Sequence, residues 1–429
     1  MENEGSRITP KKGNYRVQTV MHHVNVETLK AEHTRQSANK ASGVDRVTKQ
    51  GYSENLQENL ENLIKRMKSL SYRPQPVRRT YIPKEGNRGM RPLGIPAYED
   101  KLVQGVMADI LEGIYEKKFY DFSYGFRKGK SCHQAIKEVN DIIRFKKVNY
   151  VVDADIKGFF DNLSHEWLMK FLEHDIQDKN FLRYIVRFLK AGVMEELQFH
   201  ESDRGAPQGG LISPICANVY LHYVLDMWFE KVVRARCRGE AYIVRYADDF
   251  VCMFQYKEDA EKFYNALKER MGQFGLELAE EKSKVIAFGR FARENSNDGK
   301  VDTFDFLGFT HICGKSRKGK FMIVHRTSRK KLKQKKANVK VWLKQNMHVP
   351  IKDLIAKLNR KLIGHYNYYG ISGNSKSLQD FYYYVTRQLI HVLRRRGQKH
   401  RMTWEKFNRL ILFSPIASPS IKVNIWTYA

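Results

Sequence analysis

Apolar residues recur along the chain at two periods. From Ser53 onward, Leu56, Leu60, Leu63, Ile64, Met67 and Leu70 share one helical face, and Pro74 and Pro76 end the run. Leu102, Val103, Val106, Met107, Ile110 and Ile114 predict a second helix, and helical spacing returns over 164–174, 179–192, 213–236 and 257–274. Elsewhere the period shortens to two. VRRTYIP (77–83) and RPLGIP (91–96), joined by KEGNRGM (84–90), predict a hairpin, and NYVVDADI (149–156) alternates like a half-buried strand. AYIVRYADDFVCMF (241–254) predicts two short strands with Asp248 and Asp249 near their turn. Further strands fit 284–289, 304–312 and 320–325, whereas residues 1–50 are polar and give no clear element. Strands and helices without regular β-α alternation predict an α+β fold with an antiparallel sheet.

Charge narrows the partners. The 429-residue chain carries 76 Lys and Arg against 47 Asp and Glu, a formal net charge of +29. A field of that sign attracts polyanions, nucleic acid first and an anionic membrane surface second. The basic excess is concentrated: residues 306–352 hold fourteen Lys or Arg and no Asp or Glu, and RQLIHVLRRRGQKHR (387–401) forms a second cluster. No stretch approaches the ~18 apolar residues of a membrane span. The polar N-terminus lacks the apolar core of a signal peptide. Five cysteines without C-x-x-C spacing argue against a zinc knuckle or a disulfide framework and suit a reducing cytoplasm.

The residues that carry chemistry are the paired aspartates. Adjacent carboxylates in an apolar run are costly unless a solvated turn, an ion pair or a metal offsets them. Mg²⁺ favours one or two carboxylates plus substrate phosphates, and a two-metal site needs a further carboxylate from elsewhere. Asp155 closes the alternating 149–156 run, with Asp153 on the same face and Asp161 beyond, at a helix start.

YADD (246–249) resembles the catalytic hairpin of reverse transcriptases, and DADIKGFFDNLSH (153–165) resembles the family's first metal-binding strand. GAPQGGLISPICANVYL (205–221) resembles the nucleotide-pocket segment, and YIPKEGNRGMRPLGIPAYEDKLVQ (81–104) the fingers hairpin. FSYGFRKGKSCHQA (122–135) and FDFLGF (304–309) continue the series, and LNRKLIGHYNYYG (358–370) resembles a maturase-specific thumb. In order, these motifs resemble the group II intron-encoded reverse transcriptase and maturase family over about residues 43–410. The resemblance implies a right-hand polymerase, with fingers and an antiparallel palm followed by a helical thumb. It divides the chain into an N-terminal extension (1–50), fingers with part of the palm (51–148), palm (149–315) and a basic helical thumb or maturase domain (316–429), with no endonuclease domain.

The resemblance also implies roles. Asp155 and Asp248 would bind two Mg²⁺ ions, Mn²⁺ being an alternative ion, with Asp249 close by and the Ile156 carbonyl as a further ligand. Lys84 and Arg91 would grip the incoming triphosphate, Phe160 would select deoxyribonucleotides, Gln208 would contact the nucleotide, and Lys282 would protonate pyrophosphate. Asp153 matches no family ligand and reads as structural. Lys330, Lys331, Lys335, Lys336, Arg394, Arg395 and Arg396 are the candidate phosphate-backbone contacts. His365 stands where the family's thumb commonly has Trp, and Arg46 where Gly is usual.

The implied function is RNA-directed DNA polymerisation with intron RNA binding in group II intron splicing and mobility. The implied partners are an RNA template, a DNA or RNA primer, dNTPs and a group II intron or other structured RNA, in a cytoplasmic, nucleoid- or RNA-associated setting without a membrane. The alternatives are a free-standing enzyme of phage defence or DNA repair, an RNA-binding splicing factor with vestigial polymerase activity, and an RNA-dependent RNA polymerase. The family's catalytic residues are all in place at Asp155, Asp248, Asp249, Lys84 and Arg91, which argues against degeneration. Phe160 argues for dNTPs.

Overall fold

The computed structural model describes residues 16–83, 89–195, 198–200, 204–205, 209–294, 301–396 and 402–426. Helices α1 (Val26–Arg35), α2 (Lys49–Ser53) and α3 (Leu56–Lys68) lead into a hairpin of β1 (Val77–Pro83) and β2 (Met90–Ile95). Helices α4 (Tyr98–Tyr115) and α5 (Cys132–Phe145) precede β3 (Tyr150–Asp155). Next come α6 (Phe159–Asn162), α7 (His165–Asp175), α8 (Lys179–Leu189) and the short strands β4 (Val193–Glu195) and β5 (Gln198–His200). Helix α9 (Ser213–Leu221) runs on through two π-helical segments, His222–Asp226 and Phe229–Val233, into α10 (Arg234–Arg236).

The hairpin of β6 (Ala241–Tyr246) and β7 (Asp249–Phe254) follows, then α11 (Lys257–Gln273), β8 (Lys284–Ala287), β9 (Phe304–Phe306), β10 (Phe309–Lys315) and β11 (Phe321–Thr327). The chain closes on helices α12 (Arg329–Gln345), α13 (Ile351–Tyr369), α14 (Ser375–Arg394) and α15 (Trp404–Phe413).

Three sheets organise these elements. The central palm sheet has the order β6-β7-β3-β8 with every pair antiparallel. The fingers sheet, β2-β1-β4-β5, is antiparallel except for a two-residue parallel pairing of β1 with β4. The third sheet is β11-β10-β9. The α+β class, with antiparallel sheets followed by a helical C-terminal region, is the one expected.

Particular elements depart from the pattern reading. The β3 strand is buried on both faces: Val152 and Ala154 join the core under α9 and α11, while Val151 packs with α5 residues Val139, Ile142 and Ile143. Its alternation comes from Asp153 and Asp155, not from a solvated face. Residues 304–312 are two strands, because Leu307 (φ 49°) and Gly308 (φ 79°) take left-handed backbone and fold β9 back on β10. The expected boundary at 315/316 falls in the β10–β11 hairpin, where Lys315 pairs with Phe321. Helix α5, absent from the expected elements, keeps a helical stripe of Ala135, Ile136, Val139, Ile142 and Ile143 and a Ser131–Gln134 capping box. Among the described residues no helix is long and apolar enough to cross a membrane.

Candidate active site

The hairpin turn between β6 and β7 consists of Ala247 and Asp248, with Tyr246 opposite Asp249. Ala247 sits at φ 57°, a left-handed conformation that costs an L-residue about 1 kcal/mol. Two contacts hold it there. Gly125 lies so close that a Cβ on it would come within 2.2 Å of the Ala247 nitrogen. The Arg245 guanidinium donates to the Ala247 carbonyl at 3.0 Å.

Arg245 is fully buried, as is its partner Asp226 on the first π segment; Nε donates to Oδ1 at 2.8 Å. Asn218 accepts from Arg245 at 3.0 Å and donates to the Gly125 carbonyl at 2.7 Å. The π-helical turn, the buried ion pair and the Gly125 loop therefore fix the aspartate turn from below. Sequence reasoning missed this network. Its signal was an arginine inside an apolar strand run, which must carry a partner inward.

Asp155, the last residue of β3, lies opposite Asp249 in the antiparallel register, so the structure brings Asp155, Asp248 and Asp249 to one end of the palm sheet. Burial raises the Asp249 pKa to about 7; the Leu307 N–H lowers it, and Asp153, Asp248 and Asp155 raise it further. Burial also raises Asp248, with Asp155 adding to it and Arg91 and Arg245 opposing. Asp153 belongs to the same face: burial raises it to about 6, Lys284 opposes, and Asp305 and Asp155 add to it.

These acids crowd an all-oxygen donor set, the kind suited to a hard divalent cation. The bridge from Ile156 to Leu278 takes the Asp155 carbonyl (Ala279 N–H, 2.8 Å) and the Lys157 N–H (Glu277 carbonyl, 2.8 Å), so the Ile156 carbonyl lies outside that pair of bonds. Lys282 sits on the Asp155 carboxylate at 2.8 Å. Among the described residues no group of three or more His, Cys, Asp or Glu has ready-made metal-ligating geometry.

A cavity of about 920 Å³ opens over the turn, between the palm and the thumb. Asp248 and Asp249 form its floor, Arg91 of β2 reaches it from the fingers, and Lys331, Lys335 and Lys361 line the thumb side. Phe160 is half-buried on α6, whereas Phe159 lies in the core against Tyr220 with ring centres 6.2 Å apart. Lys84 and Gln208 lie outside the described residues. Gln208 is flanked by Gly205 (φ 84°), whose N–H donates to Leu163 at 2.8 Å, and by Gly209 (φ 116°).

The seven candidate backbone contacts separate. Lys331 and Lys335 face the cavity. Lys330 and Arg395 are exposed elsewhere. Lys336 pairs with Asp380 at 2.7 Å, Arg394 donates to the Met402 carbonyl at 2.9 Å, and Arg396 is partly tucked in. Lys361 and His365 were not anticipated as cavity residues. The signal was present in the helical spacing of Lys361, Gly364, His365 and Tyr368, which share one face of α13.

Comparison with known proteins adds independent information. Residues 82–311 match the family model described as reverse transcriptase (RNA-dependent DNA polymerase), and residues 332–410 match the group II intron, maturase-specific domain. The group II intron-encoded protein LtrA of Lactococcus lactis subsp. cremoris is 45% identical over 175 residues, which is 41% of this chain and 28% of LtrA. Protein YkfC of Escherichia coli is 33% identical over 312 residues, covering 66% of this chain and 78% of YkfC. Among solved structures, telomerase from Candida albicans superposes with a TM-score of 0.45 at 14% identity, over 80% of this chain and 63% of that one. The match thus spans little more than a quarter of LtrA's length.

Proposed function

The chain belongs to the reverse transcriptase (RNA-dependent DNA polymerase) family, and from that membership we propose that it copies RNA into DNA at the Asp155–Asp248–Asp249 site. The observation that carries the reading is the register of β3 with β7, which sets Asp155 opposite Asp249 beside the Asp248 turn and beneath a cavity with cations on two sides. Asp155, Asp248 and the Ile156 carbonyl would hold two Mg²⁺ ions, with Asp249 beside them and Mn²⁺ as an alternative ion. When bound, the ions lower the pKa of the primer 3′-OH and offset charge on the leaving pyrophosphate.

The protein's own groups do the rest. Arg91 forks around triphosphate oxygens, and Lys84 supplies a second cation for them. Gln208 contacts the nucleotide, and Phe160 excludes a ribose 2′-OH. Lys282 hands a proton toward the leaving group, a role supported by its ion pair with Asp155. Lys331 and Lys335 hold the template–primer backbone across the cavity.

The maturase-specific match at 332–410 supports a second role, binding a group II intron or other structured RNA and assisting its splicing and mobility. The division into fingers (51–148), palm (149–315) and thumb (316–429) belongs to this proposal, as does a cytoplasmic, RNA-associated location.

The test is primer extension on an RNA template with a DNA primer, Mg²⁺ and dNTPs. Wild-type protein should extend the primer, and Asp248→Ala should abolish extension while keeping the wild-type circular dichroism spectrum. A wild-type protein that incorporates no dNTP, or a variant that still does, would overturn the assignment.

A further inference from the structure

A second cavity, of about 810 Å³, lies at the opposite end of the palm sheet from the aspartates. The last turn of α5 supplies Arg144 and Phe145, the loop after β8 supplies Arg290 and Arg293, and the β10–β11 hairpin supplies Lys315 and Lys320. Its place is set by backbone contacts. The Phe288 N–H donates to the Asn149 carbonyl at 2.9 Å, and a Cβ on Gly289 would come within 2.3 Å of the Val148 carbonyl. Residues 148 and 149 precede β3, and Asp155 ends it, so the length of one strand, roughly 20 Å, separates this cavity from the aspartates. Among the described residues the two cavities share no lining residue.

The chemistry of the wall is one-sided. Among the described residues, five that line it are Lys or Arg and none is Asp or Glu. Among the described residues, no carboxylate pairs with Arg290, Lys315 or Lys320. An ordinary solvated face mixes signs, and the surface of α4 does so: Lys128 meets both Asp109 and Glu112 there. The concave wall also offers a ring. Phe145 is 52% exposed, and the Arg144 guanidinium lies 4.9 Å from its centroid. Cations that track phosphates beside an exposed aromatic that can take a base are the two elements of single-strand recognition. A membrane surface would need a protruding apolar face, and this wall is concave and cationic.

We propose that this cavity is a second nucleic-acid site, which binds a single-stranded polynucleotide while template–primer occupies the cleft over Asp248. Phosphates contact Arg290, Lys315 and Lys320, and a base stacks on Phe145. Binding of the second strand does not depend on the polymerase reading, because it uses none of the same residues; only the simultaneous occupancy of the cleft rests on that reading.

The test uses the full chain, saturated first with an unlabelled template–primer hairpin and then titrated with fluorescein-labelled twelve-nucleotide oligo-U RNA or oligo-dT DNA. The second strand should bind without displacing the hairpin, and the two probes show whether RNA or DNA is preferred. The triple variant Arg290→Ala, Lys315→Ala, Lys320→Ala should bind it at least tenfold more weakly, with a salt slope shallower by about two, at ~0.7 per single-strand phosphate. Phe145→Ala should weaken it about fivefold or more. Primer extension should stay at the wild-type rate in both variants, which also reports their folding. The proposal is overturned if the second strand competes with the hairpin for one site or if the triple variant binds as wild type does. It is equally overturned if anionic phospholipid vesicles, and not the oligonucleotides, respond to the three cations. Loss of extension in the wild type with second-strand binding intact would instead remove the polymerase reading and leave this site standing.

Discussion

Arg245 places a full charge where no water reaches, directly beneath the aspartate turn. Its guanidinium meets Asp226, Asn218 and the Ala247 carbonyl, so removing one partner strands the other. Breaking such a buried pair costs about 3–5 kcal/mol. Asp226→Asn should therefore lower the urea-unfolding free energy by about that amount and slow primer extension even where the variant is folded. Arg245→Lys keeps the charge without the fork, so it should retain more stability than activity. An Asp226→Asn protein as stable and as active as wild type would contradict the role given to the pair.

Asp100 tests the same physics away from the site. It is 2% exposed and accepts hydrogen bonds from the Tyr72 hydroxyl and the Gln75 N–H, yet burial raises its pKa to about 7. A folded-state pKa above the unfolded value, near 4, means that the folded protein holds the proton more tightly. Its contribution is complete below about pH 4 and is lost as pH rises through about 7. Between about pH 5 and 8 the unfolding free energy should fall by an amount of order 2–4 kcal/mol from this group. Asp100→Asn should flatten that part of the profile, and an unchanged slope in urea titrations would contradict it. Phe160 makes a third residue-scale prediction: Phe160→Ala should raise ribonucleotide incorporation at least tenfold relative to dNTPs, whereas Phe159→Ala should chiefly destabilise the core.

Among the elements, the β9–β10 turn ties β7 and α13 to one residue, and α13 in turn meets α5. The Asp249 carboxylate accepts from the Leu307 N–H at 3.4 Å, and the Tyr368 hydroxyl of α13 donates to the Leu307 carbonyl at 2.9 Å. The Tyr368 carbonyl lies 2.7 Å from His133 Nε2 on α5. Tyr368→Phe removes the hydroxyl's hydrogen bond to Leu307 and its interaction with Cys132, together worth about 1 kcal/mol of stability. It should loosen the thumb against the aspartates and raise the KM for template–primer a few-fold with little change in the far-ultraviolet spectrum. An unchanged KM would show that the contact is only structural.

The same turn marks where the sequence pattern stops being informative. FDFLGF is apolar nearly throughout, so periodicity reads one strand, and the reversal depends on left-handed backbone at Leu307, a residue type that rarely adopts it. The strands β4 and β5, three residues each, are too short to show a period. By contrast β3, β6 and β7 were legible because long β-branched and aromatic runs end at charged turns. That legibility is why the positions of Asp155, Asp248 and Asp249 followed from the chain alone. The buried support beneath them did not, because Asn218, Asp226 and Arg245 are far enough apart in sequence that only tertiary packing reveals them as partners.

For the whole molecule, net charge points to a polyanionic partner but not to the face that meets it. A run of fourteen cations without an acid fixes the sign of the field over residues 306–352. Which of those cations line the cleft depends on how α12 turns to bury Val339 and Leu343 against the thumb core. That rotation directs Lys331 and Lys335 into the cavity over the aspartates and leaves Lys336 to pair with Asp380 of α14. Adjacent lysines should therefore behave differently in binding. Lys331→Ala with Lys335→Ala should weaken template–primer binding and reduce the slope of log affinity against log salt by nearly two, at about 0.9 for each duplex phosphate left without its lysine. Lys336→Ala removes a partly exposed ion pair and should cost at most about 1 kcal/mol of stability while leaving the salt slope unchanged. Fluorescence anisotropy across a salt series separates the two cases. If all three lysines shift the slope equally, the basic run acts as a diffuse field, and the orientation of α12 carries no part of the recognition.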